Sequence, residues 1–204
     1  MLRQPDLPAQ IAAELRERDY LVIPDAITAD AVAALRDELL QFREQGRLQP
    51  AAVGHGNARQ LAAQTRSDLT YWLTGETQVQ QGWLTAMADL RETLNQQLML
   101  GLVEYECHYA CYPPGSFYRR HVDAFRDNNA RQVSTVLYLN SGWSPTDGGQ
   151  LCLYREQDLL ETVLPHAGTL VVFLTEYVPH EVLVANRERL SIAGWMRRRA
   201  DTVI

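Results

Sequence analysis

The stretch from Gln132 to Tyr154 reads QVSTVLYLNSGWSPTDGGQLCLY. Two β-branched, aromatic-rich runs, Gln132–Asn140 and Gln150–Tyr154, flank a turn marked by Ser, Gly, Pro and a Thr-Asp-Gly-Gly cluster. Short runs of this composition, ended by such residues, are strands joined by turns. The same grammar continues on both sides. Glu104–Tyr112, Arg119–Asp123, Thr162–Leu164, Thr169–Leu174, His180–Val184 and Arg189–Met196 are further strand candidates, separated by PPGS, RDNN, PHAG and ANRE. About eight short strands at this spacing predict a double-stranded β-helix, or jelly roll, over about residues 101–197.

Upstream the period changes. PAQIAAELRERD carries Ile11 and Leu15 at helical spacing, and YLVIPDAI is a short buried strand. In TADAVAALRDELLQFREQG, Thr28 is a suitable N-cap, Val32, Leu35, Leu39 and Phe42 form an apolar stripe, and Gly46 is a stop. A third helix is expected across QGWLTAMADLRETLNQQLML, on Trp83, Met87, Leu90, Leu94 and Leu98. Between them, residues 48–67 show no period and form a long loop, a feature often tied to function. The chain is therefore expected to be α+β, one catalytic domain over 1–204, with helices of the first hundred residues buttressing a jelly-roll core.

Composition narrows the classes. The 204 residues are 46% hydrophobic and 22% charged, with a net charge of −6, which gives no electrostatic case for nucleic-acid binding. The opening residues, with two prolines and two charges before Gln10, do not resemble a secretory leader. The longest apolar run, Thr169–Thr175, is far too short for a membrane span. Cys107, Cys111 and Cys152 are an odd set read as reduced thiols in a cytoplasm.

The chemistry-bearing residues lie in the second half. His121 and Asp123 in FYRRHVDAFRDN are two apart, and so share a face if the strand runs through both. Two histidines and one carboxylate make the open site of mononuclear non-haem iron. Of the remaining histidines, His55 falls in the irregular loop, His108 on an earlier strand and His166 in an exposed turn. His180, opening a strand after Pro179, is the expected third ligand. In RLSIAGW, Arg189, Ser191, Ala193 and Trp195 alternate onto one face, with Leu190, Ile192 and Met196 on the other. An arginine leading such a strand suits a buried carboxylate, which its planar fork binds bidentately. Ser134, Val136, Tyr138 and Asn140 also share a face, and the Tyr138 phenol would seek an acceptor there.

ACYPPGSFYRRHVD, VLYLNSGW, DGGQLCLY, VPHEV and RLSIAGW, in this order, resemble the iron(II)/2-oxoglutarate-dependent prolyl hydroxylases, in particular the hypoxia-inducible-factor type and its bacterial relatives. The resemblance covers about Glu104–Arg197. It implies His121, Asp123 and His180 on iron(II), and Arg189 and Tyr138 on the distal carboxylate of 2-oxoglutarate. It places Tyr112, Leu151, Val182 and Trp195 around that cosubstrate, and Tyr118 near the substrate entrance. It also implies dioxygen as co-reactant, with ascorbate as an accessory reductant. RSDLTYW resembles the end of the family's substrate-covering loop. Arg66, Asp68 and Trp72 are then loop anchors or substrate contacts, although a loop-to-helix junction capped by Asp68 reads equally well. The implied product is 4-hydroxyproline in a protein with an exposed prolyl loop, elongation factor Tu being the leading candidate.

Two other readings stay open: a small-molecule or free amino acid hydroxylase with the same triad, and a non-catalytic jelly-roll metal-binding module. His108 departs from the animal relatives, which tend to carry an apolar residue there. It should face the same pocket as Tyr112, as a hydrogen-bond donor or merely packed. The basic MRRRAD near the end reads as a solvated tail or a contact for an acidic surface.

Overall fold

The computed structural model describes residues 1–51, 66–123 and 130–199. Its helices are α1 (Leu7–Arg18), α2 (Ala29–Glu44) and α3 (Gln78–Leu98). Its strands are β1 (Tyr20–Ile23), β2 (Gln49–Pro50), β3 (Leu69–Trp72), β4 (Leu102–Tyr112), β5 (Tyr118–His121), β6 (Arg131–Tyr138), β7 (Leu151–Arg155), β8 (Asp158–Val163), β9 (Leu170–Leu174), β10 (His180–Val182) and β11 (Arg189–Arg198). Their pairings are antiparallel and form two sheets, a major one ordered β1-β9-β6-β11-β4-β3-β2 and a minor one ordered β5-β10-β7-β8.

The helices form where their caps and stripes require. Thr28 and Thr77 each accept a hydrogen bond from a backbone N–H of the first turn, at 3.4 and 3.2 Å. Gly46, at φ +68°, follows the end of α2, where a left-handed residue costs glycine nothing. The helical stripes, including Val32, Leu35, Leu39, Trp83, Met87, Leu90 and Leu94, cover one face of the major sheet. There they meet Leu190, Ile192 and Met196 of β11. The other face of the major sheet packs on the minor sheet through Tyr138, Leu151, Leu153, Val171, Phe173 and Val182. β11 is therefore apolar towards the helices and chemically furnished towards the space between the sheets, as its alternation predicts.

Three sequence expectations are corrected. RSDLTYW is not a loop-to-helix junction: Leu69–Trp72 is a strand, register-paired with His108–Cys111 of β4, and α3 begins only at Gln78. Its side chains, one buried and three partly or fully exposed, lie next to the short edge strand β2, and their polar and aromatic mixture hides the alternation. β5 stops at His121, so Asp123 lies in the bend beyond the strand, with Val122 left exposed. The basic end of the chain is no solvated tail at Arg197, which β11 carries onto Glu104 and Glu106 at 2.8 and 3.3 Å. Most of the irregular loop, residues 52–65, and the turn at FRDN lie outside the described residues.

Gly194 shows how tightly β11 is packed. A Cβ there would lie 2.2 Å from the Tyr105 hydroxyl, which itself bonds Thr135 Oγ1 at 2.9 Å. Gly194→Ala is expected to lower stability by about 1–3 kcal/mol through overpacking, to be read from the thermal unfolding midpoint.

Candidate metal and cosubstrate site

β5 and β10 bring the two histidines together, with His180 opposite His121 in register. The ligand atoms of His121, Asp123 and His180 all lie within 4.8 Å of one another, close enough to hold one metal ion. The Nε2 atoms of His121 and His180 stand 3.4 and 3.5 Å from the two carboxylate oxygens of Asp123. Nδ1 of each ring lies against a backbone carbonyl, Arg119 at 2.7 Å and Val178 at 3.1 Å. A carbonyl only accepts, so each Nδ1 carries a proton and each Nε2 lone pair points at the cluster. This is the usual way a ligating imidazole is oriented.

Asp123 is held in turn. Ser134 Oγ on β6 donates to Asp123 Oδ2 at 2.8 Å and is itself 3.1 Å from Thr175 Oγ1. Burial opposes ionisation of Asp123, but the adjacent His180 and His121 outweigh it and keep the carboxyl well below its usual range. The donor set is thus two neutral imidazoles and one carboxylate, which suits iron(II), and the triad leaves coordination positions open for other ligands.

Burial, and then the neighbouring His121, pushes His180 down to about 4. Burial, and then Arg66, does the same to His108. The sign of the linkage follows. The unfolded chain binds these protons below about 6.5 while the folded protein refuses them until about 4. Stability is therefore present above pH 6.5 and is lost as pH falls towards 4, by on the order of 3 kcal/mol for each histidine. Denaturant unfolding of the metal-free protein across that window checks this. Asp123, with its depressed value, adds its own loss only below the ordinary carboxylate range.

The other predicted residues are placed as follows. Arg189 is buried, with its Nε donating to the Gly149 carbonyl at 2.9 Å and Nη1 3.4 Å from Ser191 Oγ. Its guanidinium lies 5.0 and 4.9 Å from the ring centres of Tyr112 and Tyr138. Among the described residues no carboxylate comes within 4.0 Å of it. The Tyr138 hydroxyl beside it is buried, with no hydrogen-bond partner among the described residues. Burial pushes this phenol up to about 12, against the pull of Arg189, so it stays a donor. An orphaned buried phenol and a buried, unpaired guanidinium make a cradle for a carboxylate.

Tyr112, Leu151, Val182 and Trp195 line the same cavity as the triad, as do Tyr118, Arg66 and His108. Tyr118 stacks on His121, with ring centres 3.6 Å apart. Arg66 lies over Tyr118 and forms a bidentate pair with buried Asp68, at 2.7 and 2.6 Å. Asp68 therefore caps no helix; it fixes the guanidinium on the cavity wall. Trp72 stands at the rim, 41% exposed, against His108 and Trp195. His166 is exposed and takes no part.

Sequence reasoning overlooked the supports. Ser134 was visible on the Tyr138 face, but its bond to Asp123 joins distant segments. Gly149, read as a turn glycine, also holds Arg189: its φ is +66°, and a Cβ would stand 3.0 Å from Arg189 Cδ. Gly149→Ala is expected to displace Arg189 and weaken 2-oxoglutarate binding about tenfold while sparing metal affinity, to be checked by separate titrations of metal and 2-oxoglutarate.

The family model for the 2OG-Fe(II) oxygenase superfamily matches residues 107–197. The crystal structure of a Pseudomonas putida prolyl-4-hydroxylase is 44% identical, at a TM-score of 0.85, over 94% of this chain and 99% of that one. A Trichoplax adhaerens prolyl hydroxylase, solved in complex with a hypoxia inducible factor oxygen degradation domain peptide fragment, is 25% identical, at a TM-score of 0.82, over 94% of this chain and 89% of that one. The viral collagen prolyl hydroxylase of Paramecium Bursaria Chlorella virus-1, solved as a 2OG complex, shares the fold, at 18% identity and a TM-score of 0.63 over 90% of this chain and 98% of that one.

Proposed function

Since the chain belongs to the 2OG-Fe(II) oxygenase superfamily, we propose that it is a prolyl 4-hydroxylase of protein substrates, acting as one catalytic unit. The observation that carries the reading is the pairing of two sites in one cavity: the His121–Asp123–His180 cluster, and Arg189, which has no carboxylate partner among the described residues and lies over the ring of buried Tyr138. A metal-binding module needs only the first. An oxygenase that consumes a dicarboxylate needs both.

When bound, iron(II) and 2-oxoglutarate supply the oxidative chemistry: one oxygen atom of dioxygen enters a substrate C–H bond, the other enters succinate, and carbon dioxide leaves. The chain's residues orient and shield this chemistry. His121, Asp123 and His180 would hold the metal. Arg189 and Tyr138 fix the distal carboxylate, so the cosubstrate enters in one orientation. Leu151 and Val182 keep water away from the cosubstrate. No side chain is needed as a general base.

The substrate class rests on likeness to a prolyl hydroxylase solved in complex with a peptide fragment, and on Trp72, an exposed aromatic packed against the cavity-lining His108 and Trp195. An exposed prolyl loop, with elongation factor Tu first to be tried, is the substrate we propose. Purified protein with iron(II), 2-oxoglutarate and dioxygen should form succinate in step with the gain of one oxygen atom by a prolyl peptide or by elongation factor Tu. Turnover of free proline but of no peptide would replace this reading with the small-molecule one.

A further inference from the structure

Among the described residues, His108 is the one histidine lining the cavity that the triad does not use. It lies in a row running across the inner face of the major sheet. Trp72 is its register partner on β3, Ala193 its partner on β11, and Val136 follows on β6. The next row along the strands contains Trp195 and, opposite it, Ser134, which holds Asp123. His108 thus stands between the exposed indole of Trp72 and the wall that supports the metal cluster. The two tryptophan rings brace it at 5.1 and 5.4 Å between ring centres. His108 is almost wholly buried, yet it and the small Ala193 both line the cavity.

The hydrogen bonding of this ring is half complete. Nδ1 lies 3.1 Å from the Tyr109 carbonyl, which can only accept, so the ring proton is committed there. The ring is neutral near pH 7 because of its burial and the nearby Arg66. Nε2 is then a lone pair, and among the described residues no group donates to it. The sequence suggested a donor or a packed ring; the tautomer makes it an acceptor. That chemistry excludes 2-oxoglutarate, whose carboxylates only accept and would be repelled. The partner must bring an N–H or O–H.

Resting on the prolyl hydroxylase reading above, we infer that His108 is a specificity-determining residue whose Nε2 accepts a hydrogen bond from a backbone N–H beside the target proline. Proline within a chain has no N–H of its own. The donor is therefore the amide of a flanking residue, entering past Trp72. The contact registers the peptide so that the prolyl ring is delivered to the metal side of the cavity.

The test uses the iron(II)-loaded protein with 2-oxoglutarate under nitrogen, where binding proceeds without turnover. The probe is a fluorescent prolyl peptide that the wild type hydroxylates in air, together with a series N-methylated at one amide at a time. His108→Leu should weaken peptide binding about tenfold, with most of the affinity restored in His108→Gln, whose amide oxygen replaces the acceptor. One N-methylation should cost the wild type a similar factor and cost His108→Leu nothing further, because both changes remove the same bond. Metal and 2-oxoglutarate affinities should match wild type in both variants. Equal peptide affinity in His108→Leu, an equal loss in His108→Gln, or N-methylation losses that multiply with His108→Leu would each overturn the inference while leaving the hydroxylase reading intact. A wild type that hydroxylates no prolyl peptide would overturn both.

Discussion

Asp123→Ala is expected to lower affinity for iron(II) by more than about 100-fold and to abolish 2-oxoglutarate turnover. Loss of an outer hydrogen-bond partner already costs a metal site about 10- to 100-fold, and Asp123 is proposed as a direct ligand, the one anion among three. Its carboxylate oxygens face both Nε2 atoms, at 3.4 and 3.5 Å, so the change removes the group around which both rings are aimed. Ser134→Ala offers a graded comparison. It removes the 2.8 Å hydrogen bond to Asp123, together with the 3.1 Å contact to Thr175, but leaves the carboxylate in place, and should weaken the metal within the 10- to 100-fold range. Titration with manganese(II) under competition, followed by iron(II)-dependent succinate formation, separates binding from turnover. Near-normal metal affinity in Asp123→Ala would remove this residue from the ligand set.

The parts of the site legible in the sequence are those that strand periodicity encodes. β11 alternates strictly, so its sequence alone assigns Arg189, Ser191, Ala193 and Trp195 to one face. The cavity is lined by those four. Val136 and Ser134 follow the same logic on β6. What escaped was set by contacts between distant segments. Nothing local tells that the Arg66–Asp68 pair will stand on the cavity wall, because that depends on β3 joining β4. Nor does HVD reveal that the strand ends at the histidine; the acid reaches the cluster from a bend, held by a serine eleven residues further on. Glu38 is a similar case in the helical layer. It accepts from Tyr109 and Gln80 in a buried network that ties α2 to α3 and β4. Period and composition locate a side chain on a face; the partner waiting there is a property of the whole fold.

Arg189→Met is expected to cost function while raising stability. A buried cation with no carboxylate in reach among the described residues is unfavourable in the ligand-free protein, since desolvation of the charge is met there by neutral partners: the Gly149 carbonyl, the more distant Ser191 hydroxyl and the rings of Tyr112 and Tyr138. An unbranched apolar side chain of similar length removes that cost without opening a large cavity. The ligand-free variant should therefore unfold at a higher temperature than wild type. With 2-oxoglutarate the order changes. Truncating one partner of a buried, hydrogen-bonded ion pair costs about 2–5 kcal/mol, so affinity should fall at least about 30-fold, while metal titrations stay as in wild type. Saturating 2-oxoglutarate should then raise the unfolding temperature of wild type and leave that of the variant almost unchanged. Tyr138→Phe should lie between them, because it removes only the second donor. The crossing of the two stability orders is the decisive observation. A residue buried for packing alone would lose stability in both states, whereas one kept for an absent anion gains stability without the ligand and forfeits the ligand's contribution. A variant that binds 2-oxoglutarate as tightly as wild type would show that the dicarboxylate is held elsewhere in the cavity.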